Sequence, residues 1–395
     1  TTTPDNTDII NPNGGGGLVE GIYLPTGRSG ESNRMFIRNW GANTWTVTGG
    51  AATNKTGFYC DGGVTSNVSN YITIKGISFT NINSSGQTFA ECGGVNYFRS
   101  GGIGINVELC TFNNINGSTN TSGFNAYAVD GAKMWRCVTD NVQVNGNNAF
   151  NNSAMMLTYD GKNISVQKCE ATNCGNFTYH KRVGQPFDVS TSVRFCIDST
   201  VGGIHYGASG SSGVPHSYTI AQCNILNNGT GNAYGILHEV GSLGSNGSNN
   251  GGKHWWCNNV LYQKGGGENG SIQFKQAYNA IIFNNIYLES RRLWREPQNS
   301  SSAGPVMEYA DHELHFGTTL PSQTYEYQSL DYDNAAQLQA VRPDFAVNDV
   351  IANPLFANAA SGDFTLQSGS PALTGGVDGT QQGVYLGNFY TIGAN

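Results

Sequence analysis

The chain reads as an all-β solenoid, a parallel β-helix of single strands, and three observations carry that reading. Six short segments end alike, with alternating apolar residues closing on a cysteine: Val107–Cys110, Met134–Cys137, Val166–Cys169, Val193–Cys196, Ile220–Cys223 and His254–Cys257. The cysteines are spaced by 27, 32, 27, 27 and 34 residues, so a strand-sized unit recurs every few tens of residues, as stacked coils require. Finally, only 12% of residues are charged while glycine numbers 54, and aromatics reach 11% at a net charge of -7. Disordered chains combine high charge with few aromatics. Here the glycines serve turns.

Residues 1–55 are expected to form an N-terminal cap region, with Ile22-Tyr23-Leu24 and Met35-Phe36-Ile37 as strands around Gly27-Arg28-Ser29-Gly30. Residues 56–315 carry the coils, which open with Tyr71–Ser78 and close with Ile281-Ile282-Phe283-Asn284. Polar turns follow most cysteines: Asn113-Asn114, Asn141, Asn173 and Asn227-Asn228. Asparagine tolerates left-handed backbone angles, and its amide can bond an identical amide one coil away. Residues 316–395 lose the rhythm and are expected to form a C-terminal cap, with a short helix at Asp333–Ala340 capped by Asp333 or Asn334. A solenoid grows by adding coils to one core, so 1–395 is expected to be a single domain.

The nine cysteines fit poorly as bridges. Equivalent residues on successive coils stand about 4.8 Å apart, whereas disulfides hold their Cβ atoms near ~3.8 Å. They are expected to be small, buried apolar residues. No Cys/His spacing has the form of a zinc site.

The coil pattern, with the tail Asn353-Pro354-Leu355-Phe356 … Gly362-Asp363-Phe364-Thr365-Leu366 … Gly369-Ser370-Pro371, resembles the right-handed parallel β-helix proteins of the pectate-lyase-like superfamily. The stretch Ser29-Gly30-Glu31 … Met35-Phe36-Ile37 is similar to the first coil of that group. The resemblance implies a right-handed solenoid. It leaves activity open, because the group holds lyases, hydrolases, phage tailspikes and binding proteins.

Counting back from the cysteines predicts a polar column: Asp61, Arg99, Asp130, Asp160, Asp188, His205, His238, Lys275 and Glu308. In a chain so poor in charge, such a file suggests a groove gripping an extended polysaccharide. Arg99, Asp130, Tyr159, His205, Tyr206, Glu239 and Glu308 are the expected substrate contacts, and Trp255 and Trp256 are further stacking candidates. The bland alternative is a solvated turn, which suits Asp130-Gly131 and Asp160-Gly161 and suits His238 and Lys275 poorly. Carboxylates one or two coils apart span the separations of retaining and inverting glycosidases, so Asp160 and Asp188 could support hydrolysis. With Asp130 they could equally hold Ca²⁺ as a cofactor.

The segment Phe274-Lys275-Gln276-Ala277-Tyr278-Asn279 resembles the lysine segment of alginate and chondroitin lyases, which implies Lys275 as the base of a β-elimination, with His238 tuning it. The family's next coil carries an arginine where this chain offers Glu308.

Two readings follow. One is a secreted polysaccharide lyase or hydrolase, monomeric and extracellular. The other is a tailspike-like or cell-surface fibre on a virion or cell, homotrimeric if tailspike-like, which grips glycans with or without cleavage or is purely structural or adhesive. The acidic balance argues against nucleic acid as the partner. No apolar run approaches the ~20 residues of a membrane span.

Overall fold

A computed structural model describes residues 20–24, 30–38, 45–49, 55–61, 70–84, 92–98, 102–148, 153–182, 190–208, 218–228, 234–239, 253–263, 271–275, 279–296, 307–317 and 323–385. It is an all-β parallel solenoid. Each coil but the last contributes one strand to each of three parallel sheets, here called A, B and C. The chain divides into two compact units, the first ending at Lys181 and the second covering Arg182–Tyr390.

In the first unit sheet A contains Glu20–Tyr23, Lys55–Asp61, Cys92–Phe98, Thr121–Tyr127, Ser153–Tyr159 and Asn176–Arg182. Alternation sends Ile72, Ile74, Ile105, Val107, Met134, Ile164 and Val166 of sheet B inward, where all are buried. Phe79 and Phe112 of sheet C stack inside at 5.1 Å. Glycine on sheet A makes room for them: a Cβ on Gly94 would lie 2.4 Å from the Phe112 ring.

Between sheets B and C the chain turns on one residue with positive φ, namely Leu109, Arg136 and Lys168 in the first unit and Phe195, Cys223, Asn258, Asn284 and His312 in the second. Left-handed backbone costs roughly 1–2 kcal/mol for such residues. Corner N–H groups bond the next coil, as Leu109 does to Trp135 O at 2.9 Å, which helps offset that cost. The expected asparagine turns lie inside sheet C. Asn81, Asn114, Asn141 and Asn173 all have positive φ; the first three link through their amides, Asn141 Nδ2 donating to Asn114 Oδ1 at 2.7 Å, and Asn173 Nδ2 donates to Asp140 Oδ1 at 2.7 Å.

The residue after each B–C corner points inward and forms an interior column in each unit. Its members are Ile77, Cys110, Cys137 and Cys169 in the first unit; in the second they are Cys196, Asn224, Asn259, Asn285, Glu313 and Asp349. All nine cysteines are free and buried. Only four stand in these columns. Cys223 sits on the corner itself, and Cys257 lies one place before its corner, opposite Gln222. Inserted loops of unequal length move the cysteine relative to the corner, so the six segments are not one register. By the same count Asn285, and not Asn284, takes the cysteine place in its coil.

The second unit repeats the plan with a bulkier interior. Trp256 lies between Tyr206 (centroids 6.2 Å, planes 3° apart) and Phe274 (4.6 Å, 15°). Its last coil contains Tyr325–Tyr327 in sheet A, a helix at Ala335–Gln339 and Val350–Ile351 in sheet C. Asn334 caps the helix, its side chain accepting from the Gln337 N–H at 3.0 Å. Leu330–Tyr332 pairs antiparallel with Tyr325–Tyr327 and ends sheet A.

The remaining tail lies along the flank of sheet C. Phe364, Ala372 and Val384 bury the outward residues Ile225, Val260, Ile286 and Leu314. Residues 375–385 run back along the corners: His312 Nδ1 meets Gly375 O at 3.1 Å, Val377 N donates to Asn284 Oδ1 at 2.9 Å, and Asn258 Nδ2 donates to Gln381 O at 3.1 Å. Near Cys223 the Tyr385 backbone bonds the thiol. Among the described residues no helix is long and apolar enough to cross a membrane.

Candidate functional site

The predicted polar column does not hold one register. Asp130 bridges to Ile103 and Lys162, whereas Asp160 follows Tyr159, whose partner is Tyr127. The two aspartates therefore sit at different coil positions. Asp130 accepts from Asn163 Nδ2 at 2.7 Å, and Asp160 is buried with a positive φ. His205 pairs with Leu237 and His238 with Tyr206 and Phe274, so alternation puts the two histidines on opposite faces of sheet A. His238 points inward, its ring 4.7 Å from His254 and 6.1 Å from Trp256. Tyr206 is interior too, its hydroxyl donating to Ile220 O at 3.3 Å. Lys275 pairs in register with Glu239 at the end of sheet A. Glu308 is exposed and belongs to sheet B, at a bulge beside the Ala280–Met307 pair. Asp61 occupies sheet A opposite Phe98. Arg99 and Asp188 lie outside the described residues.

Tyr159 belongs to a cluster on the outer face of sheet A in the first unit. It stacks with Tyr127 at 5.3 Å, and Lys181 Nζ donates to its hydroxyl at 3.3 Å and to Asn120 Oδ1 at 2.7 Å. The ammonium also lies 4.5 Å from the Tyr179 ring centre. Tyr159, Tyr179 and Lys181 are each more than nine-tenths buried, so this lysine is a strut holding neighbouring coils. Sequence reading passed over it, because a lysine in a strand carries no local mark.

A part-exposed aromatic surface lies on sheet B of the second unit. Ser192, Ile220, Trp255, Ile281 and Tyr309 stand in register on successive coils, facing outward and half-buried. Tyr218, 50% exposed, stacks on Trp255 at 6.3 Å with planes 8° apart. Phe283 adds a ring 6.5 Å from Tyr309. Arg194, Lys253 and Glu308 border the strip, and Asp311 with burial pushes the Tyr309 phenol up to about 12. In chain order Glu239 precedes Lys253–Cys257 and Lys275 precedes Ala280–Phe283. Trp255 was a foreseen stacking residue and its neighbour Trp256 is core. Tyr218, Ile281, Phe283 and Tyr309 were not singled out. Their signal was present: these strands are apolar on both phases of the alternation, and one phase has to face out.

Among the described residues no group of three or more His, Cys, Asp or Glu is arranged to hold a metal ion. The thiols are poor nucleophiles, since burial pushes Cys223 up to about 11 and Cys257 up to about 12. Inside the second unit Asp198 stands among apolar neighbours and is pushed up to about 7 by burial, although the Thr200 N–H bonds its Oδ1 at 2.8 Å.

No protein-family model matches the chain, and no curated protein is similar to it in sequence.

Proposed function

We propose that the second unit binds an extended glycan along the outer strip of sheet B, with Tyr218 and Trp255 as the stacking platform. The observation that carries this reading is the near-parallel, part-exposed Tyr218–Trp255 pair beside a file of outward, mostly apolar residues. Sugar rings present apolar C–H faces to such rings while their hydroxyls reach polar groups at the rim. Arg194, Lys253 and Glu308 supply that rim. A coil repeat of about 4.8 Å is close to one sugar per coil.

Cleavage, if it accompanies binding, belongs to the Glu239–Lys275 pair at the end of sheet A, with Lys275 as the base of a β-elimination at a uronate. Hydrolysis through Asp160 and Asp188 draws less support, because Asp160 is buried. The aliphatic members Ile220 and Ile281 favour a second reading, in which the strip also joins copies of a tailspike-like fibre.

A panel of neutral and acidic glycans, with and without calcium chelation, tests both. Binding that quenches tryptophan fluorescence supports the platform. Rising ultraviolet absorbance that Lys275→Ala abolishes supports elimination, and a trimer in solution with no glycan bound supports the fibre.

A further inference from the structure

The interior column of the second unit changes chemistry at its end. Asn259 Oδ1 accepts the Asn224 N–H at 3.0 Å and Asn285 Oδ1 accepts the Asn259 N–H at 2.9 Å. Each amide also donates backward, Asn259 Nδ2 to Ala221 O at 2.9 Å and Asn285 Nδ2 to Trp256 O at 3.1 Å. The next two places carry acids doing the same acceptor task. Asn285 Nδ2 donates to Glu313 Oε1 at 3.2 Å, and the Glu313 N–H donates to Asp349 Oδ1 at 2.9 Å. Asparagine would satisfy those bonds at any pH. A carboxyl satisfies them and titrates as well.

The rung that holds these acids also anchors the tail. His312, the corner residue before Glu313, meets Gly375 O through Nδ1, and its carbonyl accepts from Gln382 Nε2 at 2.6 Å. Gln382 in turn takes its place by an N–H bond to Ala372 O at 2.8 Å. Ala372 is one of the tail residues packed against Val260, Ile286 and Leu314.

We infer that Glu313 and Asp349 form a proton-dependent latch: protonated, they hold the last coil and the tail along sheet C closed, and deprotonation loosens both. The titratable groups around Asp349 are carboxyls and phenols. They are Glu313, whose backbone N–H is the donor at Oδ1, Tyr325, whose hydroxyl donates to Oδ2 at 2.8 Å, and Asp311, Tyr287 and Tyr309 from the neighbouring strands. His312 stands on the adjoining corner, 3.8 Å from Asp311. Burial pushes Asp349 up to about 7, and burial with Asp349 nearby holds Glu313 well above the usual carboxylate range. An acid whose folded pKa is raised binds its proton more tightly when packed, so closure is favoured below about pH 4 and weakens as pH climbs toward about 7.

Hydrogen–deuterium exchange across residues 372–385, corrected for intrinsic rates, tests this at about pH 5 and about pH 8. Protection in the native chain should fall about tenfold or more at the higher pH. In the double variant Glu313→Gln with Asp349→Asn it should be equal at both, and His312→Gln should keep the native pH profile. Equal protection in the native chain, a double variant that keeps the fall, or a His312→Gln protein that loses it would each overturn the latch. Should the double variant not fold, the native and His312→Gln profiles still decide.

Discussion

The outer faces of the two units differ. On sheet C the first unit presents Ser78, Thr111, Val138 and Glu170 in register, with the Thr111 hydroxyl donating to Ser78 Oγ at 2.9 Å. The equivalent file in the second unit is Ile197, Ile225, Val260, Ile286 and Leu314. On sheet B the first unit offers Asn106, Lys133 and Ser165, and the second offers Ile220, Trp255 and Ile281. The second unit thus faces outward with apolar residues on two sheets. One of these faces is covered by the chain's own tail. The other stays part-exposed, and outward apolar files without a cover are where partners bind.

Removing the cover should have the largest effect. Truncation before Phe364 exposes Ile225, Val260, Ile286 and Leu314, a loss on the order of 5 kcal/mol at roughly 1.5 kcal/mol per side chain. A dye that fluoresces on apolar surface should report it, and unchanged stability would mean that the tail contributes little.

The interior columns come next. Asn259→Ala leaves the Asn224 N–H and the Ala221 carbonyl without their bonds, a cost of about 3 kcal/mol in chemical denaturation. In the first unit Cys137 plays the same part more weakly, its thiol donating to Val107 O and its N–H bonding Cys169 Sγ at 3.4 Å. Cys137→Ala should cost about 1 kcal/mol. Equal losses would erase the distinction between the two columns.

A smaller, pH-dependent difference should follow from Asp198. Burial raises its folded pKa to about 7, well above the ordinary aspartate range, so its contribution is present in acid and is lost as pH rises through about 7. Asp198→Asn should stabilise the protein at about pH 8 and leave it little changed near about pH 4, as thermal melts at the two values would show.

Much of the architecture was legible in the sequence. Strand-sized apolar segments, positive-φ asparagines at 114, 141 and 173, and a capped helix after Asn334 carry local signatures, and local signatures survive loop insertion. Register did not. Loops of unequal length shift each coil by a residue or two, and a shift of one residue turns a side chain from the groove into the core. That is why His238 and Tyr206, read as groove residues, lie inside against Trp256, and why Glu308 belongs to sheet B. Trp255 and Trp256 show the limit most plainly. Adjacent in sequence and identical in type, they face opposite ways, and only the pairing of Ile220 with Trp255 reveals which one is outside.

The central claim is that the strip around Trp255 is a binding surface and not merely core left showing. Affinity for a captured glycan, measured by calorimetry on the native chain and on Trp255→Ala, tests it most directly. The account predicts a loss of tenfold or more, about 1.4 kcal/mol or greater, with an unchanged melting curve. Native affinity in Trp255→Ala would contradict it.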